Sequence, residues 1–389
     1  MLPVGVPRSG RQMYISTNED LAAFCERASA FEAVAIDTEF LRERTFHAKL
    51  CLIQVGTPDE CVAIDPLSIG DLTPLAELMV DPDTLKVFHA CSQDMEVLNH
   101  TLGVLPAPIF DTQVAAGFLG ERAQTSYNSL VHTFCDVTLP KTESLTDWSR
   151  RPLSPKQIEY ALDDVRYLIQ AYPVIDEKLR SLGRTTWVRD ETRMFADPEH
   201  YRADPRKAYK RVKRISSCTR RQLAVARELA AWREHRAETR NIPRKWVMSD
   251  EVLLALCKRV PKTVDDVRRV RGTEQLNERD VQVLLDAASR GEHCPADNLP
   301  SMGRGHRTPT PEQESVIDLM YALIRLVSDR SGVATSLIIS RDGLMDYMDH
   351  PERSPLREGW RFELVGTLID DLLRGDIGLT VKDGALEIL

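Results

Sequence analysis

Short apolar runs recur in the first 200 residues of this 389-residue chain, and they constrain its fold class more strongly than any other sequence feature. Four of them are rich in Val, Ile, Leu and Cys: AVAID (33–37), LCLIQVG (50–56), ECVAID (60–65) and TLKVFHA (84–90). Runs of this length and composition predict buried β-strands. Helical patterns lie between and after them, with Thr17 or Asn18, Thr73 and Ser92 as expected N-caps. Three successive strands followed by β-α alternation predict an α/β domain with a mixed sheet.

Strand patterns disappear after about residue 205, and helical patterns replace them. The predicted helices span 219–238, 249–259, 263–270 and 277–289, with breaks at Asn241-Ile-Pro243, Pro261 and Gly272. A Pro-, Gly- and polar-rich stretch then predicts a linker, and a second helical pattern runs from Pro311 to about residue 375. We therefore expect four segments: an α/β domain at 1–205, helical domains at 206–292 and 311–389, and a linker at 293–310.

The net charge of −8, from 51 Lys and Arg against 59 Asp and Glu, argues at first against a nucleic-acid partner. The charge is unevenly distributed, however, with −12 in residues 1–200, +11 in 201–259 and −7 in 260–389. Tyr209, Trp232 and Trp246 lie within the basic segment 201–259, where exposed rings could stack on bases. The alternative is that its cations lie on solvated helix faces and that Trp232 belongs to a core. We expect nucleic-acid contacts from this segment.

Neither a membrane segment nor a secretory signal is predicted. No run approaches ~18 apolar residues, and the first residues, MLPVGVPRSGRQMY, contain no apolar stretch. The eight cysteines are scattered and form no C-x-x-C pair, which argues against a zinc site or a disulfide framework. We expect them to be buried, reduced thiols of a cytoplasmic protein.

Acidic side chains follow closely after two of the predicted strands. Asp37 and Glu39 follow an apolar strand and point to one face, because side chains alternate along a strand. Solvated strand ends are often acidic, so this pair alone does not establish a metal site. Asp94 lies in the first turn of the helix after TLKVFHA, where favourable interaction with the helix dipole is a sufficient explanation for it.

A third group of chemically interesting residues lies on a predicted helix that begins after Ser154, with Gln157 completing a capping box. Tyr160 and Asp164 lie one turn apart on one flank of its apolar stripe. Asp163 points about 100° further towards solvent. If one of the adjacent acids reaches a buried site, geometry therefore selects Asp164. A tyrosine at the edge of a core is the simpler interpretation of Tyr160 alone.

Together these positions supply four carboxylates and one phenol. Four converging acids repel one another unless divalent cations lie between them, and oxygen ligands favour Mg²⁺ or Mn²⁺ over zinc. Two such ions roughly 4 Å apart can activate a water and stabilise the leaving oxygen in phosphodiester cleavage. No base stands beside a Ser or Cys at a nucleophile-like turn, which argues against covalent catalysis.

The motifs resemble those of the DEDD exonuclease superfamily in its tyrosine branch. They are Asp37-Thr-Glu39, Asp94 in HACSQD and Tyr160-x-x-x-Asp164. Longer stretches resemble the bacterial ribonuclease D family: DTEFLRERTFHAKLCLIQVG (37–56), FDTQVAAGFLG (110–120) and LPKTESLTDWSRRPLSPKQIEYALDDVRYL (139–168). Residues 212–292 resemble an HRDC domain, and GWRFELVGTLIDDLLRG (359–375) resembles the family's more divergent second HRDC-like unit.

The resemblance implies an α/β RNase-H-like exonuclease domain with a mixed sheet, followed by two all-α HRDC-like helical domains. It implies that Asp37, Glu39 and Asp164 hold a first cation, that Asp37 also touches a second, and that Asp94 supports the second through water. Tyr160 would orient the attacking water. The implied reaction is 3′→5′ hydrolysis of RNA with a free 3′ end, above all precursor tRNA, releasing nucleoside 5′-monophosphates. We expect a monomer.

Two alternatives stay open at this point. A DNA 3′→5′ exonuclease would share the same catalytic residues, although the missing polymerase domain and the flanking similarities favour RNA. A non-catalytic RNA-binding scaffold would have no need of all five residues, so their presence counts against it.

Overall fold

The computed structural model describes residues 13–140, 146–301 and 309–389. Six strands form one sheet: β1 (Tyr14–Ile15), β2 (Ala33–Leu41), β3 (Lys49–Gly56), β4 (Cys61–Ile64), β5 (Leu85–Phe88) and β6 (Ile109–Asp111). Their order across the sheet is β1–β4–β3–β2–β5–β6. The β1–β4, β2–β5 and β5–β6 pairs are parallel and the β3–β4 pair is antiparallel, which confirms the predicted mixed sheet. The four predicted strands are β2 to β5.

Seven of the described helices belong to the same part of the chain as the sheet: α1 (Asn18–Ala28), α2 (Thr73–Val80), α3 (Ser92–Leu102), α4 (Thr112–Gly117), α5 (Tyr127–Cys135), α6 (Pro155–Ser181) and α7 (Thr185–Thr192). The short helix α8 (Pro198–Tyr201) begins the second compact unit described below. Thr17 is the N-cap of α1. The caps predicted at Thr73 and Ser92 are wrong, because each is the first residue of its helix and neither makes a side-chain cap hydrogen bond. The Asp71 carboxylate instead accepts from the Thr73 N–H at 2.9 Å.

Helix α6 begins as predicted, with both hydrogen bonds of the Ser154–Gln157 capping box in place. The helix packs closely on the sheet at Gly56. A Cβ at that position would lie 2.9 Å from the backbone oxygen of Val165, so only glycine fits this contact. The close approach places the face of α6 that carries Ala161 and Val165 against the strands.

Residues 40–50 and 198–301 form a second compact unit. It contains α9 (Arg220–Thr239), α10 (Arg244–Val247), α11 (Asp250–Arg259), α12 (Val264–Arg268) and α13 (Glu278–Glu292). The four predicted helices are confirmed, with Thr219, Ser249, Thr263 and Asn277 as their side-chain N-caps. The short helix α10, directly after the predicted break at Pro243, was not predicted. Buried aliphatic side chains of α9, α11 and α13 form the core of this unit.

The C-terminal helices belong to the same compact unit as the α/β residues. They are α14 (Pro311–Ser331), α15 (Thr335–Ile338), α16 (Arg341–Asp349), α17 (Gly359–Arg361) and α18 (Thr367–Arg374), with a π-helical turn at Phe362–Gly366 between the last two. The Trp360 ring stacks on Trp187 of α7 at 5.3 Å and meets Phe118 edge-on at 4.9 Å. One hydrophobic core therefore includes side chains from both parts. The four-segment division of the chain stays a prediction, and residues 302–308 of its linker lie outside the described residues.

A two-stranded hairpin, β7 (Leu379–Lys382) and β8 (Ala385–Ile388), follows α18 and was not predicted. Its turn consists of Asp383 and Gly384, which have φ values of 51° and 80°. Asp-Gly between two short apolar runs is a strong hairpin signal, so the sequence did contain this information. Separately, no helix within the described ranges combines the length and the apolar content needed to cross a membrane.

Candidate active site

Three of the predicted site residues converge. One carboxylate oxygen each from Asp37 and Glu39 on β2 and from Asp164 on α6 lie within 4.8 Å of one another. Strand alternation puts the first two on one face, and helical periodicity puts Asp164 on the flank of α6 that meets them. Three oxygen ligands at this separation match the preference of hard divalent cations. We call these residues the three-carboxylate group.

Asp94 lies beside this group without belonging to it. Its side chain is buried on α3, with 7% of its surface exposed. Its carboxylate accepts a hydrogen bond from the hydroxyl of Thr38, the residue between Asp37 and Glu39. Asp94 therefore contacts β2 directly between the two acids. The sequence interpretation missed Thr38, although its position within Asp37-Thr-Glu39 was visible.

Burial and mutual repulsion raise the pKa values of these acids. Burial and the charges of Asp164 and Asp94 raise the pKa of Glu39 to about 8. Burial raises the pKa of Asp94 to about 7, against the opposing hydrogen bond from Thr38. Burial and the neighbouring Asp163 charge raise the pKa of Asp164 to about 7. The pKa of Asp37 is also raised well above its usual range, first by burial and then by the charges of Asp164, Asp94 and Glu39. Among the described residues, the charges that act most strongly on these four acids are all negative, which fits a cation site.

The Tyr160 phenol lies next to the three-carboxylate group. Burial and the charges of Asp164, Glu39 and Asp37 raise its pKa above the usual tyrosine value. Its ring packs against Trp148 with centroids 6.1 Å apart and planes tilted by 31°. The phenol therefore keeps its proton at neutral pH, and the buried Trp148 restricts the ring's orientation.

Asp163, the neighbour of Asp164, has a different environment. Its carboxylate pairs with Arg166, which also pairs with Glu159 at 2.8 Å. Its backbone oxygen accepts from the Tyr127 hydroxyl at 2.8 Å. Asp164, and not Asp163, thus joins the three-carboxylate group, as the helical geometry predicted.

Comparisons with known proteins agree with this site. A family model described as 3′-5′ exonuclease matches residues 12–180, and one described as HRDC domain matches 222–286. Ribonuclease D of Sphingobium indicum is 39% identical over 383 residues, covering 96% of this chain and 97% of that protein. Ribonuclease D of Jannaschia sp. is 39% identical over 386 residues, covering 96% and 98%. The chain belongs to the ribonuclease D family. Family membership identifies it as a 3′→5′ exoribonuclease that uses divalent metal ions.

A solved structure supports the fold assignment. The crystal structure of Escherichia coli RNase D, described as an exoribonuclease involved in structured RNA processing, superposes with a TM-score of 0.81 at 30% identity. The alignment covers 94% of this chain and 99% of that one. The exonuclease part is thus RNase-H-like, with an HRDC domain in the helical region after it. Among the three functions left open by the sequence, these relatives support the exoribonuclease over the DNA exonuclease and the inactive scaffold.

The basic segment 201–259 is less available to RNA than its charge suggests. Many of its arginines pair within the unit: Arg206 and Arg227 with Glu228, Arg233 with Asp250, Arg236 and Arg240 with Asp280, and Arg244 with Glu234. Tyr209 is 4% exposed, so the idea that it stacks on bases is wrong; its ring belongs to the core. Trp232 packs partly against the same core. Trp246, in contrast, is 51% exposed.

Proposed function

We propose that Asp37, Glu39 and Asp164 hold a first divalent cation, that Asp37 also contacts a second, and that Asp94 supports the second through water. The observation that carries this proposal is the convergence of three carboxylate oxygens within 4.8 Å of one another. The ions are Mg²⁺ or Mn²⁺, because every donor is oxygen. When bound, they supply Lewis-acid polarisation of the scissile phosphate and neutralise developing charge.

Tyr160 orients the attacking water in this proposal. A phenol whose pKa is raised stays protonated and can donate a hydrogen bond, but it cannot act as a general base at neutral pH. Its contact with Trp148 keeps the hydroxyl in one place, which favours attack from a single direction. The hydroxyl therefore positions the water that adds to the terminal phosphodiester.

The substrate we propose is structured RNA with a free 3′ end, above all precursor tRNA with a 3′ trailer, and the products are nucleoside 5′-monophosphates. Two observations support RNA: the family relationship, and the described role of the E. coli relative in structured RNA processing. The proposed enzyme acts as a monomer in the cytoplasm.

For the body of the RNA we propose a contact surface in the second unit. A groove of about 360 Å³ has both basic and acidic side chains in its lining: Arg211, Lys213, Arg233, Arg244 and Lys245, and Glu234, Asp250 and Glu251. Arg244 is held by Glu234, whereas within the described part of the chain no carboxylate lies at ion-pair distance from Lys213 or Lys245. The Lys213 charge still contributes to lowering the pKa values of the neighbouring Asp250 and Glu251. The exposed Trp246 follows Lys245 directly and offers a ring for base stacking. We call Lys213 and Lys245 the groove cations.

The experiment that tests the reaction compares RNA and DNA. A tRNA with a 3′ trailer and a DNA of the same sequence are incubated with metal-free protein, with and without added Mg²⁺ or Mn²⁺. We expect mononucleotides with 5′-phosphates from the RNA only when the cation is present. Equal degradation of both polymers would refute the choice of RNA, and RNA cleavage without cations would refute the metal role.

A further inference from the structure

Asp111 lies at the end of β6, in the FDTQVAAGFLG stretch whose role the reaction leaves unexplained. The residue is 1% exposed, and within the described residues no lysine or arginine forms an ion pair with it, although the His89 imidazole lies close enough to feel its charge. Four backbone N–H groups bind the Asp111 carboxylate instead. Oδ1 accepts from Gln113 at 2.8 Å and from Val114 and Ala90 at 3.2 Å, and Oδ2 accepts from Cys91 at 2.8 Å. One buried carboxylate thus joins the start of α4 to the corner between β5 and α3.

The corner between β5 and α3 is held by hydrogen bonds from residues at the end of β6 and the start of α4. Ala90 has φ 61°, a left-handed conformation that residues with a Cβ adopt at a cost. Cys91, the N-cap of α3, makes no side-chain cap hydrogen bond. The Asp111 carboxylate holds this turn in place by accepting from the N–H groups of both residues, which directly precede the first residue of α3. Thr112 adds a second link, since its hydroxyl donates to the backbone oxygen of Phe88 at 2.9 Å.

We propose that Asp111 is a positioning residue that holds Asp94 in place for cation binding. Asp94 lies three residues after Cys91, in the first turn of α3, and its carboxylate meets Thr38 between the acids of β2. A shift of the corner therefore moves Asp94 against Thr38. The inference rests on the proposed role of Asp94 at the metal site, and it adds a residue that acts on Asp94 through the backbone, besides the direct effect of its charge, which adds to the effect of burial in raising the pKa of Asp94.

Asp111→Asn separates the two contacts of the carboxylate, one with the start of α4 and one with the corner between β5 and α3. The asparagine amide has only one acceptor oxygen. It retains the most hydrogen bonds when this oxygen takes the place of Oδ1, where it still accepts from Ala90, Gln113 and Val114. The amide nitrogen then faces the Cys91 N–H, donor against donor, so the hydrogen bond at the start of α3 is lost. The hydrogen bonds that cap α4 are retained, and only the bond to Cys91, in the corner that precedes Asp94, is lost.

The test uses Mn²⁺ alone, titrated into the metal-free full-length protein by calorimetry, with thermal unfolding measured in parallel. We expect Asp111→Asn to weaken Mn²⁺ binding by roughly tenfold or more, the usual effect of losing a group that orients a metal ligand. Glu60→Gln is the matched control, since Glu60 is a buried carboxylate in the same unit that binds Arg27. It should lose stability but keep the wild-type Mn²⁺ affinity.

Unchanged Mn²⁺ affinity in Asp111→Asn would overturn the inference, as would an equal loss in Glu60→Gln. Asp94→Asn, measured alongside, distinguishes a failure of the inference about Asp111 from a failure of the proposed function. Unchanged Mn²⁺ affinity in Asp94→Asn refutes the proposed role of Asp94 itself. If Asp111→Asn does not fold, Ala90→Val supplies the test, because a β-branched residue resists a positive φ and Ala90 is exposed. Weakened Mn²⁺ binding in Ala90→Val supports the inference, and wild-type binding overturns it.

Discussion

The hydroxyl of Thr38 donates a hydrogen bond to the carboxylate of Asp94, and so links α3 to the strand that carries Asp37 and Glu39. This bond favours the charged form of Asp94, whose pKa burial raises to about 7. Ionised Asp94 is the form that can support a cation. Thr38 therefore favours the ionised form of Asp94, which is the form that the proposed metal site requires.

Thr38→Val removes the donor and keeps the shape of the side chain. The pKa of Asp94 should then rise further, because a bond to its charged form is lost. Hydrogen bonds to charged groups contribute about 1.5–3 kcal/mol, so we expect a rate loss of roughly 10- to 100-fold at neutral pH. The acid side of the pH–rate profile should move to higher pH. Thr38→Ser should restore both quantities, and a profile unchanged in Thr38→Val would contradict this role.

Cation binding should depend on pH through the three-carboxylate group and Asp94. The folded, metal-free protein holds protons on Glu39, Asp94 and Asp164 more tightly than the unfolded chain does, with pKa values of about 8, 7 and 7. Its free energy of unfolding should therefore fall as pH rises from about 4 to about 8. Bound cations remove this cost, so Mn²⁺ should raise the melting temperature more at pH 8 than at pH 6.

In Asp37→Asn, Mn²⁺ should no longer raise the melting temperature more at pH 8 than at pH 6. The substitution removes one of the mutually repelling acids, whose ionisation burial disfavours, so the metal-free variant should also melt higher than the metal-free wild type at pH 8. Thermal unfolding at both pH values, with and without Mn²⁺, measures each quantity. An equal response to Mn²⁺ at the two pH values in the wild type would contradict the assignment.

Tyr160→Phe keeps the ring against Trp148 and removes only the hydroxyl. We expect the maximal rate to fall by roughly 10- to 100-fold, less than for loss of a metal-binding carboxylate, because positioning a water contributes less than holding a cation. The KM for RNA and the Mn²⁺ affinity should not change. Single-turnover cleavage of a short oligonucleotide measures the rate without product release. A change in Mn²⁺ affinity would instead give the phenol a part in the metal site.

The groove cations should account for part of the salt dependence of RNA binding. Lys213→Ala with Lys245→Ala should reduce the slope of log affinity against log salt by roughly 1–2, since each lost phosphate contact contributes about 0.7–0.9. Fluorescence anisotropy with a 3′-extended tRNA and without divalent cations measures the slope. Lys258→Ala with Arg259→Ala removes the same charge from α11 outside the groove and should leave the slope unchanged. Equal slopes in both double variants would place the RNA elsewhere.

The parts of the site that follow from regular geometry could be predicted from the sequence. Period-2 alternation placed Asp37 and Glu39 on one face, and helical periodicity chose Asp164 over Asp163. The contribution of Asp111 could not be predicted, because β6 has only three residues and its contact with Ala90 joins positions about twenty residues apart. The tertiary contacts that bury a ring are equally invisible in a local pattern, which is why Tyr209 was misinterpreted.

Packing between segments that are distant in the sequence could not be predicted either. Amphipathic patterns predicted helices after residue 311 but not which surface they cover. In the structure their apolar faces join the core of the α/β part, through Trp360 and Trp187 among others. In the basic segment, sequence counting measured net charge, whereas the ion pairs within the unit decide which cations remain for RNA.

The adjacent acids Asp163 and Asp164 allow the most direct test of the central claim, that the three-carboxylate group holds the catalytic cation. Asp164→Asn and Asp163→Asn are compared with the wild type on 5′-labelled, 3′-extended RNA with saturating Mg²⁺. We predict stepwise shortening from the 3′ end by the wild type and by Asp163→Asn. The rate of Asp164→Asn should fall by ~10³-fold or more, since a bound cation contributes several kcal/mol to the transition state, while RNA binding is retained. Near-wild-type cleavage by Asp164→Asn would contradict the account.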